Sequence, residues 1–192
     1  MAEPILLILG PSGAGKTTLG DYLATQHRML HLNFDRRETN GVDAAGLRPE
    51  WDAFLDGRRP RPVVDEIRRR VRAAGRTGAA VTCPSGIMPS ADPAAPRWFL
   101  PKQYVGELEA VGLYCVVLYG TRQRCLAAFL GRDEGQSEQH WNLNNSWWHT
   151  PTSGRDFGEY VLPAFRGGRR TALPEMFEDL RRRVGEGLAG AR

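Results

Sequence analysis

The sequence predicts a single α/β domain, residues 1–192, built on a parallel sheet flanked by helices. Three observations carry this. Short apolar runs alternate along the chain with segments of helical periodicity. The first run, Ile5–Leu9, is apolar at every position and ends on glycine, as a strand buried on both faces requires. A glycine-rich loop, Gly10–Thr17, then joins that strand to a helix.

The elements follow in order. Lys16–Gln26 is predicted helical, with Leu19, Tyr22 and Leu23 on one face. Met29–Phe34 is a second strand. Val42–Gly57 reads as mostly helical, with Leu47, Trp51, Phe54 and Leu55 as its apolar stripe. The stretch Arg58–Pro62 breaks it, and Val63–Ala74 resumes a helix. Ala79–Cys83 is a third strand, followed by a Pro/Gly/Ser-rich loop over Pro84–Pro96. A helix starting at Phe99 or Lys102 runs to Val111, and Leu113–Tyr119 is a fourth strand. Thr121 is a suitable N-cap for a helix to Leu130. Residues 131–158 are polar and non-periodic, rich in Asn, Gly and Trp. A fifth strand is predicted near Tyr160–Phe165, and Pro174 sits in the first turn of a closing helix to Leu188.

Composition excludes several classes. The chain is 41% hydrophobic and 25% charged, as ordinary globular proteins are. No apolar run approaches the roughly 18 residues that span a bilayer. Glu3 stands where a secretory leader needs basic residues, so the expected location is the cytoplasm. Three cysteines without CxxC spacing fit a reducing compartment. Without HExxH or CxxC spacing, no protein-built zinc site is predicted. The net charge of +4 comes from 26 basic residues, of which two, Lys16 and Lys102, are lysines. Of the two, Lys16 falls where a compact, flexible ammonium suits better than arginine's rigid fork, while Lys102 opens a helix outside every motif and is read as surface.

Gly10-Pro-Ser-Gly-Ala-Gly-Lys-Thr17 matches GxxxxGK[ST] between a buried strand and a helix, the context of a phosphate-binding loop (P-loop). Its glycines let backbone N–H groups turn toward a phosphate without Cβ clashes. The helix that begins at Lys16 aims the positive end of its dipole at the same point. The candidate cofactor-binding residues are therefore Gly10, Ser12, Gly13, Ala14, Gly15, Lys16, Thr17 and Thr18. Lys16 serves the β- and γ-phosphates, Thr17 is the Mg²⁺ ligand and Thr18 bonds the α-phosphate.

Asn33-Phe34-Asp35 closes the second strand, and ligands of open α/β sheets sit at the carboxyl ends of strands. Asp35 is thus the candidate to take or orient the proton of an attacking hydroxyl. No acid follows the third strand, where Val81-Thr-Cys-Pro-Ser-Gly86 stands in place of the metal-holding carboxylate of motor and switch NTPases.

The strand–GPSGAGKTT–helix opening, followed by a strand ending in an acid, resembles the P-loop kinases of small molecules: the gluconate, shikimate, adenylylsulfate and nucleoside-monophosphate kinases. The resemblance implies the P-loop NTPase fold with a parallel core of about five strands. It also implies a substrate-binding insert (36–62) and a lid (131–158). The small-residue loop after strand three matches the shikimate and gluconate type, with Thr82, Ser85 and the Gly86 backbone beside substrate or a metal-bound water. In the insert, Arg36, Arg37, Arg58, Arg59 and Arg61 are candidates to grip an anionic acceptor, with Arg58 and Arg59 favoured; Trp51 and Phe54 belong to its own core. Arg122 or Arg124 is implied against the adenine, and Arg132 against the moving phosphate. Trp147, Trp148, His149 and Asn145 are the leads to acceptor identity.

The reading is an enzyme, a kinase using ATP and Mg²⁺, with ATP and a small-molecule acceptor as partners, no nucleic acid and no membrane, acting as a monomer or homodimer. Two alternatives stand beside it. One is a polynucleotide 5′-hydroxyl kinase, for which Arg68, Arg69, Arg70 and Arg72 supply charge. The other is a non-catalytic nucleotide-binding switch.

Overall fold

The computed structural model describes residues 3–34, 42–43, 47–57, 59–83, 86–88, 100–132, 135–145, 148 and 158–185. Its centre is β1 (Ile5–Leu9), paired in parallel with β4 (Ala79–Thr82) on one side and β7 (Leu113–Tyr119) on the other. β2 (Leu30–Asn33) adds to β4, two-residue β3 (Val42–Asp43) adds to β2, and β8 (Val161–Pro163) adds to β7. The sheet order is therefore β3-β2-β4-β1-β7-β8, every pair parallel. Without the short edge β3 this is the expected five-stranded core. The chain leaves β1 toward one edge for β2 and β4, then crosses to the other edge for β7 and β8. That switch opens a crevice at the carboxyl end of β1.

The continuous apolar run of β1 has a simple cause. Ile5, Leu7 and Leu9 enter one core with α2 (Arg48–Gly57), α3 (Pro60–Ala73) and α4 (Lys102–Ala110). Leu6 and Ile8 enter a second core with α1 (Lys16–Gln26), α5 (Arg122–Leu130), α6 (Glu138–Asn145) and α7 (Leu173–Val184). Side chains alternate along a strand, so a strand covered on both faces is apolar throughout. Trp51 and Phe54, expected in a core of the insert's own, instead join the main core under β1, β2 and β4, because α2 packs directly on the sheet. Both are buried, and the Phe34, Trp51 and Phe54 rings pack in a row at tilted angles, with centroids 5.2 and 5.4 Å apart.

Several expected boundaries shift for local reasons. The helix expected from Val42 begins at Arg48, because Val42–Asp43 pairs with β2 instead. The supposed break over Arg58–Pro62 is mostly a helix start: Pro60 opens α3 behind an extended Arg59, where a proline's missing N–H costs nothing. The region 131–158 contains α6, which the sequence pattern does not announce. Asn and His are weak helix formers, but Ser137 caps this helix by accepting from the His140 N–H at 3.1 Å. After β8, Phe165–Arg166 (β9) and Arg169–Arg170 (β10) form a hairpin whose turn glycines, Gly167 and Gly168, take φ of 52° and 87°. A small parallel pair, Ile87–Met88 (β5) with Leu100–Pro101 (β6), precedes α4.

A buried polar chain ties α1 to the sheet. His31 Nδ1 lies 2.9 Å from Asp21 Oδ1, and its Nε2 lies 3.0 Å from Thr82 Oγ1, which is 3.2 Å from Asn33 Oδ1. The ring fits because residue 20 is glycine: a Cβ there would stand 2.4 Å from Nε2. That explains a residue that weakens a helix interior by about 1 kcal/mol relative to alanine. Burial holds the His31 pKa below its ordinary value, with Asp21 opposing. The unfolded chain therefore takes up this proton first, and stability falls as pH drops below about 6.5. Urea unfolding at pH 7 and about pH 5.5 should show that loss, and His31→Gln should flatten it.

Candidate functional site

The loop Gly10–Thr17 leaves the end of β1 at the crevice. Its glycines 10, 13 and 15 take φ of 149°, 91° and 98°. Two of them allow close approach as well. A Cβ at Gly10 would lie 2.4 Å from the Leu118 carbonyl oxygen, and one at Gly13 would lie 1.9 Å from that of Cys125. The loop therefore rests on the end of β7 and the first turn of α5, and glycine is required for contact as well as for torsion.

Gly15 is the N-cap of α1, left-handed at φ 98° and ψ 21°, and no side chain caps this helix. The N–H groups of a first helical turn have no partner within the helix, and here they open into the loop with the positive end of the dipole. Lys16 is buried, at 4% exposure, and its ammonium donates to Gly10 O at 2.9 Å and to Pro11 O at 3.2 Å. Thr17 is half-buried and Thr18 exposed. Ala14 is fully buried in the second core.

The outside of the loop is equally ordered. Pro11 O also accepts from the Ala14 N–H at 3.2 Å. Ser12 O accepts from Trp141 Nε1 at 2.9 Å, and the Ser12 N–H donates to Asn145 Oδ1 at 2.7 Å. Arg170 donates to Gly13 O at 3.2 Å and to Ala14 O at 3.3 Å, with its guanidinium 5.2 Å above the Phe165 ring. Each carbonyl from Gly10 to Ala14 thus has a donor, supplied by Lys16, Trp141, Arg170 or the loop itself. The Ser12 and Ala14 carbonyls, held from outside by Trp141 and Arg170, turn the Gly13 and Gly15 N–H groups the opposite way, as in an anion nest, while the Ser12 N–H is taken by Asn145 and the Ala14 N–H by Pro11 O. Beneath the loop, burial pushes the Cys125 thiol up to about 11 although Lys16 and Arg170 pull it down, so it packs as a neutral group.

The other predicted residues scatter. Arg122 donates to Glu138 Oε1 at 2.7 Å and Asn142 Oδ1 at 2.8 Å and lies 5.6 Å from the Trp141 ring, so it joins α5 to α6. Arg124 is exposed and reaches toward Gly168. Arg132 is exposed just past α5, and its charge is felt at Cys125. Arg59 is exposed at the start of α3. Gly86 is buried, its carbonyl accepting from the Leu100 N–H at 2.8 Å. Trp148 is fully buried in the core shared by α2, α3 and α4. Thr82 is fully buried in the polar chain under α1. Asp35, Arg36, Arg37, Arg58, Ser85, Trp147 and His149 lie outside the described residues. Among the described residues, no group of three His, Cys, Asp or Glu side chains could hold a metal ion, and no helix is long and apolar enough to cross a membrane.

Sequence reasoning missed the loop's outer partners, Trp141 and Arg170, and gave Asn145 a different task. One signal was available: Gly167-Gly168 between residues 165–166 and 169–170 is a two-residue hairpin turn, which would have placed Arg170 on a strand.

No family model matches the chain. Over 68 residues, 35% of its length, the chain is 41% identical to a Lon protease from Chloroflexus aurantiacus; the match spans 8% of that protein. Among solved structures, the chain resembles a gluconokinase from Sinorhizobium meliloti 1021 with a TM-score of 0.48 at 17% identity, over 98% of this chain and 93% of that one. It resembles a sugar kinase from Janibacter sp. HTCC2649 with a TM-score of 0.45 at 13% identity, over 98% of both chains. These likenesses concern the course of the chain and assign no residue a role.

The loop's packing makes a direct prediction. Gly13→Ala places a methyl group against the Cys125 carbonyl in a backbone conformation that disfavours it. Thermal melting should show a loss of several degrees, on the order of 1–3 kcal/mol. Nucleotide binding, measured by calorimetry, should weaken more than the melting shift alone accounts for.

Proposed function

We propose that this chain is an ATP- and Mg²⁺-dependent phosphotransferase that moves the γ-phosphate to a hydroxyl or phosphate group of a small metabolite or nucleoside. The observation that carries the reading is the phosphate cradle. An α1 N-terminus without a side-chain cap opens into a loop whose carbonyls from Gly10 to Ala14 are all engaged on donors, with the Lys16 ammonium at its edge. Such a cradle suits an anion, and next to GxxxxGK[ST] a polyphosphate.

In this reading Lys16 exchanges its two carbonyl partners for phosphate oxygens, a short movement for a flexible stem. The Thr17 hydroxyl, in the first turn of α1, is the residue to hold Mg²⁺; the ion supplies neutralising charge at the phosphates. Thr18 follows on the same turn for the α-phosphate. Asp35, two positions beyond β2 in the sequence, would accept or orient the acceptor proton. Arg122 or Arg124 would face the adenine and Arg132 the transferring phosphoryl group. Arg36, Arg58, Arg59, Ser85, Gly86 and Trp148 are proposed on the acceptor side; of these Trp148 has the least access, being fully buried. Closure over the acceptor would exclude water and suppress ATP hydrolysis.

The helix arginines that would suit a polynucleotide are occupied in place. Arg68 donates to Val111 O at 2.8 Å, Arg69 and Arg70 both grip Glu66, and Arg72 pairs with Glu3. They form no open basic strip, which favours a small acceptor over RNA or DNA.

The test is a thermal-shift screen of sugars, sugar acids and nucleosides with a non-hydrolysable ATP analogue, followed by coupled measurement of ADP release. An acceptor should raise the melting temperature only with nucleotide present. With that acceptor, Lys16→Met and Asp35→Asn should each lower kcat by about 10²-fold or more. If no acceptor shifts the melt and ATP is merely hydrolysed, the kinase reading fails.

A further inference from the structure

A glycine-rich loop does not by itself choose which way its peptides face. Glycine populates positive and negative φ about equally, so peptide units in Gly10–Gly15 can flip. A flipped unit turns a carbonyl toward the phosphates and repels them. The loop binds an anion in one peptide orientation, and its apparent affinity falls with the fraction of time spent in others.

In this chain the Ser12 peptide region is held at both ends by one helix. Trp141 Nε1 donates to Ser12 O, and Asn145 Oδ1 accepts from the Ser12 N–H. The two side chains are four residues apart on α6 and so share a face. Asn145 is also bonded to Trp141: its Nδ2 donates to the Trp141 carbonyl oxygen at 2.7 Å. That bond fixes which way the Asn145 amide points. Neither residue has room to leave: Trp141 is 1% exposed and Asn145 2%. An indole can only donate, so its placement demands an outward carbonyl at Ser12. The helix is in turn fixed to α5 through Arg122, Glu138 and Asn142. On the far side, Arg170 takes the next two carbonyls with one planar fork, backed by the Phe165 ring. The hairpin that carries it is anchored by Thr171 Oγ1 donating to Pro163 O at 2.8 Å.

We propose that Trp141, Asn145 and Arg170 are positioning residues that fix the loop before nucleotide arrives: Trp141 and Arg170 hold the Ser12, Gly13 and Ala14 carbonyls outward, and Asn145 anchors the preceding peptide by its Ser12 N–H and braces Trp141. It follows that α6, although it lies in the segment expected to act as a lid, is a fixed buttress of the nucleotide site. The proposal rests on the nucleotide-binding reading above. It adds that the loop is prepared from outside, by groups that never touch the ligand, so the ordering cost is met during folding.

The experiment reads two quantities on the full chain: the Kd for Mg·ADP by calorimetry, and amide hydrogen exchange at residues 13–17 without nucleotide. Trp141→Phe keeps the ring in the core and removes its donor. Asn145→Ala removes both amide contacts, and Arg170→Met keeps an apolar stem against Phe165. Each should raise Kd about three- to tenfold, the worth of one or two net hydrogen bonds. Each should also speed exchange in the loop while leaving α7, which shares the same core, unchanged. Trp141→Phe with Asn145→Ala should be less than multiplicative, because both hold Ser12. A purely structural role would lower the melting temperature and speed exchange in both α7 and the loop; that result overturns the proposal, as do a wild-type Kd and wild-type loop exchange in the variants. If wild type itself binds no ADP, the nucleotide reading fails, while loop exchange still decides whether these residues order the loop. Should Trp141→Phe not fold, the other two variants carry the test.

Discussion

A phosphate-binding loop must turn its N–H groups inward, and every carbonyl it turns outward then needs a donor from somewhere else. Much of this structure is organised around that demand. Glycine supplies the torsions but no preference between orientations. The preference comes from Trp141 and Arg170, which engage the Ser12, Gly13 and Ala14 carbonyls from outside the loop, while Lys16 and the Ala14 N–H take those of Gly10 and Pro11. Buried carbonyls left without donors would cost about 1–3 kcal/mol each, enough to drive the loop into another shape.

The sheet provides the rigid base. β1 is covered on both faces, so its end has little freedom, and the loop begins there. β7 and α5 press against Gly10 and Gly13, and α1 is tied down by the Asp21–His31–Thr82–Asn33 chain beneath its second turn. The same chain uses the position at the end of β4 where switch NTPases carry an acid. Thr82 is spent on holding α1 and β2 together through His31 and Asn33.

The uneven use of cationic side chains also finds a physical reason. Lys16 reaches two carbonyls on a tight turn with a compact head on a flexible stem. Arg170 spans two successive carbonyls with a flat fork that stays where it is, stacked on Phe165. One task needs a mobile point charge and the other a fixed bidentate donor, so the residues are not interchangeable. Lys102, the second lysine, has no comparable task; it opens α4 at the surface, 3.9 Å from Glu159.

Local sequence determined the parts of this protein whose causes are local. The apolar runs located the main strands, because burial on two faces leaves no polar position in β1, and the GxxxxGK[ST] spacing located the glycine-rich turn and the start of α1 at Lys16. Thr121 marked the start of α5 through its own capping bond to the Arg124 N–H. Tertiary structure decided what depends on residues far apart in the chain. Trp141, Asn145 and Arg170 lie about 130 to 157 positions from the loop they hold. Nothing in their own surroundings shows this, since a helix rich in asparagine and an arginine beside a turn look like surface. A loop's torsions are written in its own glycines, but the donors that choose among its conformations can come from anywhere the fold brings near. Long-range hydrogen bonds leave no period in the sequence to read.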